Sequence, residues 1–162
     1  MAGKADFTPE EWTQILKAPG WASIAVVAAS PSGPFGVVKE MFAAGKVLAE
    51  AKMKPGANAL VDALVVDLTT SEGRKQAQPR EIVGKSPQEV RTLALDALKQ
   101  VTALVDKKAS GDADGFKRWV AGLSTKVAES AKEGGFLGIG GTAVSDAEKT
   151  ALSDISSTLG IA

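Results

Sequence analysis

Three short segments carry the sequence signature of a helix start, and they constrain the fold more than any other feature. Thr8-Pro9-Glu10-Glu11, Ser86-Pro87-Gln88-Glu89 and Ser145-Asp146-Ala147-Glu148 each place a hydroxyl three positions before a glutamate. In such a capping box the hydroxyl accepts a hydrogen bond from a backbone N–H of the first turn, and the glutamate accepts one from the capping residue. Proline at the first helical position strengthens two of the three assignments. An N–H group at that position has no acceptor within the helix, so proline loses no hydrogen bond there. Three helices are therefore predicted to begin at these boxes.

Apolar residues recur at helical spacing through most of the chain, and no segment alternates apolar and polar residues as a strand would. The spacing predicts helices over residues 35–53, 57–69, 87–108, 112–133 and 146–159. Each has one apolar stripe and one charged face, which is typical of helices that pack side by side around a shared core.

The N-terminal third is predicted to hold two helices. Phe7 and Trp12 flank the first capping box as a hydrophobic staple, and Pro19-Gly20 is expected to end the first helix. Residues 20–30 are apolar nearly all round, which predicts a second helix at the centre of the core. The longest apolar run, Trp21–Ala29, is about half of the ~20 residues that a membrane span requires.

These patterns together predict an all-α fold. The 162 residues fit one domain, and the helices number about seven, short and amphipathic, in a bundle or orthogonal array. Residues 1–6 are expected to be disordered, and residues 70–85 lack periodicity and are expected to form an irregular loop.

The missing residue types exclude much of catalytic chemistry. The chain has no cysteine, no histidine and no tyrosine. Disulfides, thiolate nucleophiles, serine–histidine triads and most transition-metal ligands are therefore excluded. The sequence predicts a protein that is not an enzyme and that holds no cofactor and no metal.

Charge bears on partners and location. Lysine plus arginine and aspartate plus glutamate number 19 each, so the net charge is zero, which argues against capture of nucleic acid by the whole surface. Residues 1–20 carry three acidic residues against two lysines, unlike the basic start of a signal peptide. A cytoplasmic protein without a membrane span is predicted.

The most distinctive segment is a glycine-rich loop near the C-terminus. Glycine-rich loops can cradle an anion with backbone N–H groups, although this one lacks the strand or lysine of the nucleotide-binding motifs. Its apolar residues alternate with the glycines, which is equally consistent with a structural loop whose apolar side chains pack into the core. As a candidate ligand or interaction loop it comprises Gly134, Gly135, Phe136, Leu137, Gly138, Ile139, Gly140 and Gly141.

Other polar and aromatic residues have structural interpretations. Asp112-Ala113-Asp114-Gly115 fails the calcium-loop register, so Asp112 or Asp114 is expected to cap the following helix. The acidic residues of the polar helix faces are predicted to be solvated, and the tryptophans to lie in the core or to line a pocket. A basic cluster is expected to be a solvated loop or to contact phosphate, without the interleaved aromatics typical of nucleic-acid binding. The acidic residues are Asp62, Asp67, Asp96 and Asp106, the tryptophans are Trp12, Trp21 and Trp119, and the basic cluster consists of Arg74, Lys75, Arg80 and Lys85.

The C-terminal segment carries a resemblance to a known family. It matches at Val144-Ser145, Glu148, Leu152, Ile155 and Leu159-Gly160, and the preceding glycine-rich run looks like the tail of small all-α bacterial proteins. In these positions it resembles helix–loop–helix units of the tellurite-resistance TerB-like family. The resemblance implies an all-α fold and a stress-response or scaffolding context. Metal binding in that family is associated with acidic loop residues, but this chain has Gly140-Gly141-Thr142 where an Asp-Gly is common.

The functional prediction follows from these features. Because catalytic side chains are scarce, the chain is predicted to be a non-enzymatic interaction or accessory protein that binds an unknown protein partner or itself. Two alternatives stay open. One is a module that binds a small ligand, anion or metal at residues 134–141 or in an aromatic-lined pocket. The other is an enzyme that uses paired carboxylates.

Overall fold

The described part of the chain is helical throughout. The computed structural model describes residues 1–29, 45–46, 48–130 and 144–161. In these ranges the complete α-helices are α1 (Pro9–Val27), α2 (Ala59–Leu68), α3 (Ser71–Gln76), α4 (Pro87–Lys108), α5 (Ser110–Ser130) and α6 (Asp146–Leu159). Residues 45–46 and 48–53 are also helical, and short 3₁₀ turns form at Lys4–Asp6 and Arg80–Ile82. These ranges contain no strand, so the predicted all-α fold is confirmed.

All three predicted capping boxes form at the starts of α1, α4 and α6. At α1, the Thr8 hydroxyl accepts a hydrogen bond from the Glu11 N–H at 3.3 Å, and the Glu11 carboxylate accepts one from the Thr8 N–H at 2.7 Å. The same reciprocal pair forms in Ser86–Glu89 and in Ser145–Glu148. The helix starts that the sequence predicts at these boxes are therefore correct.

The predicted end of the first helix at Pro19-Gly20 is wrong, because α1 continues to Val27. A proline inside a helix costs roughly 3 kcal/mol through its missing N–H and its ring. Each large apolar side chain that is fully buried contributes roughly 1.5–3 kcal/mol, so a few of them outweigh the proline. The α1 residues buried in the core are Trp12, Ile15, Leu16, Ala18, Trp21, Ala22, Ala25 and Val26.

Helix α1 is the central element of the structure. It contacts each of α2, α3, α4, α5 and α6, and it packs most extensively against α4 and α5. Helices α4, α5 and α6 also pack on one another, and α2 packs on α3 and α5. One continuous hydrophobic core takes residues from α1, α2, α4, α5 and α6. The central position expected for residues 20–30 is thus observed over Trp21–Val27.

None of the described helices combines the length and apolar character that crossing a membrane requires.

Residues 70–85 are not the irregular loop that the sequence predicts, because they contain α3 and the Arg80–Ile82 turn. The Thr70 hydroxyl caps α3 by accepting a hydrogen bond from the Gly73 N–H at 2.9 Å. Gly73 allows the corner between α2 and α3 to close, since a Cβ atom there would lie 2.1 Å from the Asp67 carbonyl oxygen. With six residues, α3 is too short to show apolar periodicity, which explains why the sequence does not reveal it.

Residues 1–6 also differ from the prediction of disorder. Lys4–Asp6 form a 3₁₀ turn, and the Ala2 N–H donates to the Asp112 carboxylate at 2.6 Å. Lys4 Nζ lies 2.9 Å from Asp67 Oδ2. The composition of a short polar segment gives no sign of such long-range partners, which arise only when the helices pack.

The corner at Gly73 gives a test of the packing. Gly73→Ala is expected to lower the free energy of unfolding by about 1–3 kcal/mol, because the new methyl group overlaps the Asp67 carbonyl. Gly122→Ala is the matched control, since a Cβ atom at Gly122 meets nothing within 4 Å and the position is exposed inside α5. The control is expected to gain up to about 1 kcal/mol from helix propensity. Urea denaturation of both variants measures the two changes, and equal changes would contradict the tight corner.

Candidate interaction surface

The predicted ligand or interaction loop cannot be placed. Its residues Gly134, Gly135, Phe136, Leu137, Gly138, Ile139, Gly140 and Gly141 lie outside the described residues.

Asp67 is not the solvated residue that the sequence predicts. Its carboxylate accepts hydrogen bonds from Trp12 Nε1 at 2.6 Å and from Lys4 Nζ at 2.9 Å. Partial burial raises the pKa of Asp67, but the hydrogen bonds from Lys4 and Trp12 outweigh this effect, and the pKa lies below its ordinary value. Asp67 therefore satisfies the indole N–H of Trp12, which is buried in the core as predicted.

The other three acidic residues of the predicted set lie apart from one another in structural roles or in solvent. Asp62 accepts a hydrogen bond from the Gly56 N–H at 2.7 Å, and Asp106 forms an ion pair with Lys117 at 2.5 Å. Asp96 is exposed, as predicted. Among the described residues, no group of three or more acidic side chains is placed to hold a metal ion.

Neither Asp112 nor Asp114 is the N-cap of α5. The helix begins at Ser110, directly after the buried Ala109, so both acidic residues lie inside it. The Asp112 N–H donates to the Ala109 carbonyl oxygen at 2.8 Å, so Asp112 already lies in the first turn. Asp114 pairs with Arg118 at 2.8 Å on the exposed face of α5.

Asp112 instead joins three segments of the chain. Its carboxylate accepts hydrogen bonds from the Ala2 N–H at 2.6 Å and from the Ala59 N–H at 3.3 Å. Its backbone carbonyl accepts one from Asn58 Nδ2 at 2.8 Å, and Asn58 also caps α2. Asp112 is largely buried, and its hydrogen bonds tie the N-terminus and the start of α2 to α5.

The basic cluster of the sequence lies on one exposed edge of the structure. We call residues 71–85 the basic edge; they comprise α3, the Arg80–Ile82 turn and the connections up to Lys85. The edge carries four basic and two acidic residues, whereas the whole chain is neutral. All four basic residues are exposed, namely Arg74, Lys75, Arg80 and Lys85.

The basic edge is attached to the helices beneath it by an ion pair and by apolar packing. Lys17 Nζ of α1 lies 2.5 Å from Glu81 Oε1, and the partly buried Ala77 and Ile82 pack against the core. At the other end, Arg74 Nη1 donates to the Thr69 carbonyl oxygen at 2.6 Å. The edge is thus exposed but held in one position, which reduces the entropy that a partner would lose on binding it.

The ion pair with Lys17 changes the charge that the edge presents. The hydrogen bond from Lys17 lowers the pKa of Glu81 below its ordinary value, so Glu81 stays ionised and its charge is balanced. Lys75, Arg80 and Lys85 have no ion-pair partner among the residues that the structure describes. Together with Arg74, whose hydrogen bond to the neutral Thr69 carbonyl leaves its charge unbalanced, these cations dominate the potential of the edge.

An exposed apolar residue and a shallow depression complete the surface. Val83 is 82% exposed and precedes Gly84, whose φ of +76° turns the chain. Beside Lys85, a depression of about 290 Å³ opens along the first turns of α4. It is lined by Lys85, Gln88, Glu89, Thr92 and Leu93.

The aromatic residues do not line this depression. Trp12 and Trp21 lie in the core, as one interpretation of the sequence predicts. Trp119 is half-buried and packs against the core.

Comparison of the chain with protein-family models, with curated proteins and with solved structures finds no match. The resemblance of the C-terminal segment to the TerB-like family therefore stays a prediction.

The ion pair between Lys17 and Glu81 can be tested by titration. Its contribution is complete above the ordinary glutamate pKa of about 4.3 and is lost as the pH falls through the lower pKa of the folded state. Lys17→Met is expected to raise the pKa of Glu81 toward that ordinary value, measured by ¹³C NMR of the side-chain carboxyl. Glu89 is the internal control, because hydrogen bonds from Ser86 lower its pKa and do not involve Lys17. An unchanged titration of Glu81 would show that the pair does not form.

Proposed function

We propose that the chain is a non-enzymatic interaction protein and that the basic edge is the surface that binds its protein partner. The observation that carries this proposal is an exposed, cation-rich segment that is attached to the central helix through Lys17 and to the core through Ala77 and Ile82. The same segment carries the exposed Val83, which adds apolar surface to its cations. Such a mixture of charge and apolar surface is typical of protein interfaces, which have polar rims and apolar centres.

The roles of the described acidic residues favour this proposal over a carboxylate enzyme. General acid–base catalysis needs a carboxylate that is free to reach a substrate. Asp67 and Asp112 are instead engaged in hydrogen bonds that join separate segments of the fold. The scaffolding context that the TerB-like resemblance implies agrees with an interaction role.

Photo-crosslinking from the edge tests the proposal. Val83 is replaced by the photoreactive amino acid benzoylphenylalanine in cells that make the protein, and Thr125, an exposed residue of α5, is replaced in the same way as a control. A discrete protein adduct is expected from position 83 and not from position 125. Mass spectrometry identifies the adduct and separates a second copy of this chain from another protein.

Two results would contradict the proposal. One is the absence of any adduct from position 83, and the other is the same set of adducts from both positions.

A further inference from the structure

The geometry points to the chemistry of the partner: we infer that the basic edge binds an acidic peptide segment that carries an apolar side chain, seated in the depression between Lys85 and Leu93. This inference rests on the proposed function of the edge and specifies which kind of protein surface it recognises.

Charge complementarity is the first argument. Lys75, Arg80 and Lys85 are exposed and have no ion-pair partner among the described residues, while Glu81 is balanced by Lys17. Arg80 and Lys85 are five residues apart and so at most about 17 Å from each other. An extended peptide of five or six residues spans that distance, with carboxylates every second or third residue facing the cations.

The size and lining of the depression supply the second argument. Its volume of about 290 Å³ is at the lower limit of small-molecule pockets, which start near 300 Å³, so it suits one side chain better than a whole ligand. Leu93 is half-buried and gives the depression an apolar wall, and the exposed Val83 adds apolar surface two residues before Lys85. A leucine from the partner would cover the exposed part of Leu93.

One acidic residue, Glu89, also lines the depression. Its carboxylate accepts a hydrogen bond from the Ser86 N–H at 2.8 Å, so it serves as the cap of α4. Its charge lies at the positive end of the helix dipole and beside Lys85, whose charge helps to lower the pKa of Glu89. The carboxylate of Glu89 is thus engaged at the start of α4.

The same surface is poorly suited to nucleic acid or to a lipid surface. Residues 70–93 contain no aromatic residue, so bases have nothing to stack on. Glu72 and Glu81 interrupt the run of cations that would follow a phosphate backbone. Val83 is the only exposed large apolar residue of the edge, whereas interfacial membrane binding needs a broader apolar face.

A titration of the whole chain followed by ¹H–¹⁵N NMR tests the inference. The probe is the peptide Asp-Glu-Leu-Asp-Glu-Leu-Asp, compared with a version in which serine replaces both leucines. Shift changes are expected to be confined to residues 75–93. The serine version is expected to bind roughly tenfold more weakly, because it lacks the apolar anchor.

Matched charge variants separate a specific site from general attraction. Arg80→Glu with Lys85→Glu is expected to weaken peptide binding at least tenfold, while Lys99→Glu with Lys107→Glu, two exposed residues of α4, is expected to change it less than twofold. The circular dichroism spectrum of each variant shows whether it stays folded.

Three results would overturn the inference. They are shifts spread over the surface, equal losses in the two charge variants, and larger shifts at residues 75–93 with a single-stranded RNA oligonucleotide or with phosphatidylserine vesicles than with the peptide. If the crosslink from position 83 forms but the peptide does not bind, the partner chemistry is wrong and the interaction surface stands. If both experiments fail, the proposed function fails as well.

Discussion

Helix α1 is the element on which α2, α3, α4, α5 and α6 all pack, and its second half is buried on nearly all sides. The free energy gained by this burial has to outweigh the cost of Pro19 in the middle of the helix. Packing therefore continues after the proline, where Trp21, Ala22 and Val26 are buried like the apolar residues before it. Without a continuous α1, the other helices would lose the one surface that α2, α3, α4, α5 and α6 all contact, and only the packing among themselves would remain. The stability of the whole bundle therefore depends on this one helix remaining helical through Pro19.

The proposed interaction surface depends on the same helix. Lys17 lies two residues before Pro19, and the basic edge is attached there through Glu81. The helix thus has two roles, since its buried residues form part of the core and Lys17 helps to hold an exposed segment in place. Because the attachment is partly an ion pair with a glutamate of lowered pKa, the contribution of that pair is complete above the ordinary glutamate pKa and is lost as the pH falls through the lower folded value.

The sequence predicts most of the fold because its signals are local. The capping boxes and apolar stripes fix the starts and buried faces of α1, α4 and α6, and all three capping boxes form. The sequence fails where packing overrides local preference: Pro19 does not end a helix, and the six-residue α3 forms in a stretch without periodicity. The basic residues of the edge are visible in the sequence, but their fixed position depends on contacts across more than sixty residues, such as Lys17 with Glu81. No local pattern contains that information.

Native-state hydrogen exchange tests the central position of α1 most directly. If the helix is continuous and forms the core, the amides of Ala22, Ala25 and Val26 exchange only when the whole protein unfolds, and their exchange free energies equal the free energy of unfolding measured with urea. Exchange of these three amides that is markedly faster than that of Leu98 and Val101 in α4 would contradict this arrangement. It would show that the chain beyond Pro19 opens independently of the bundle.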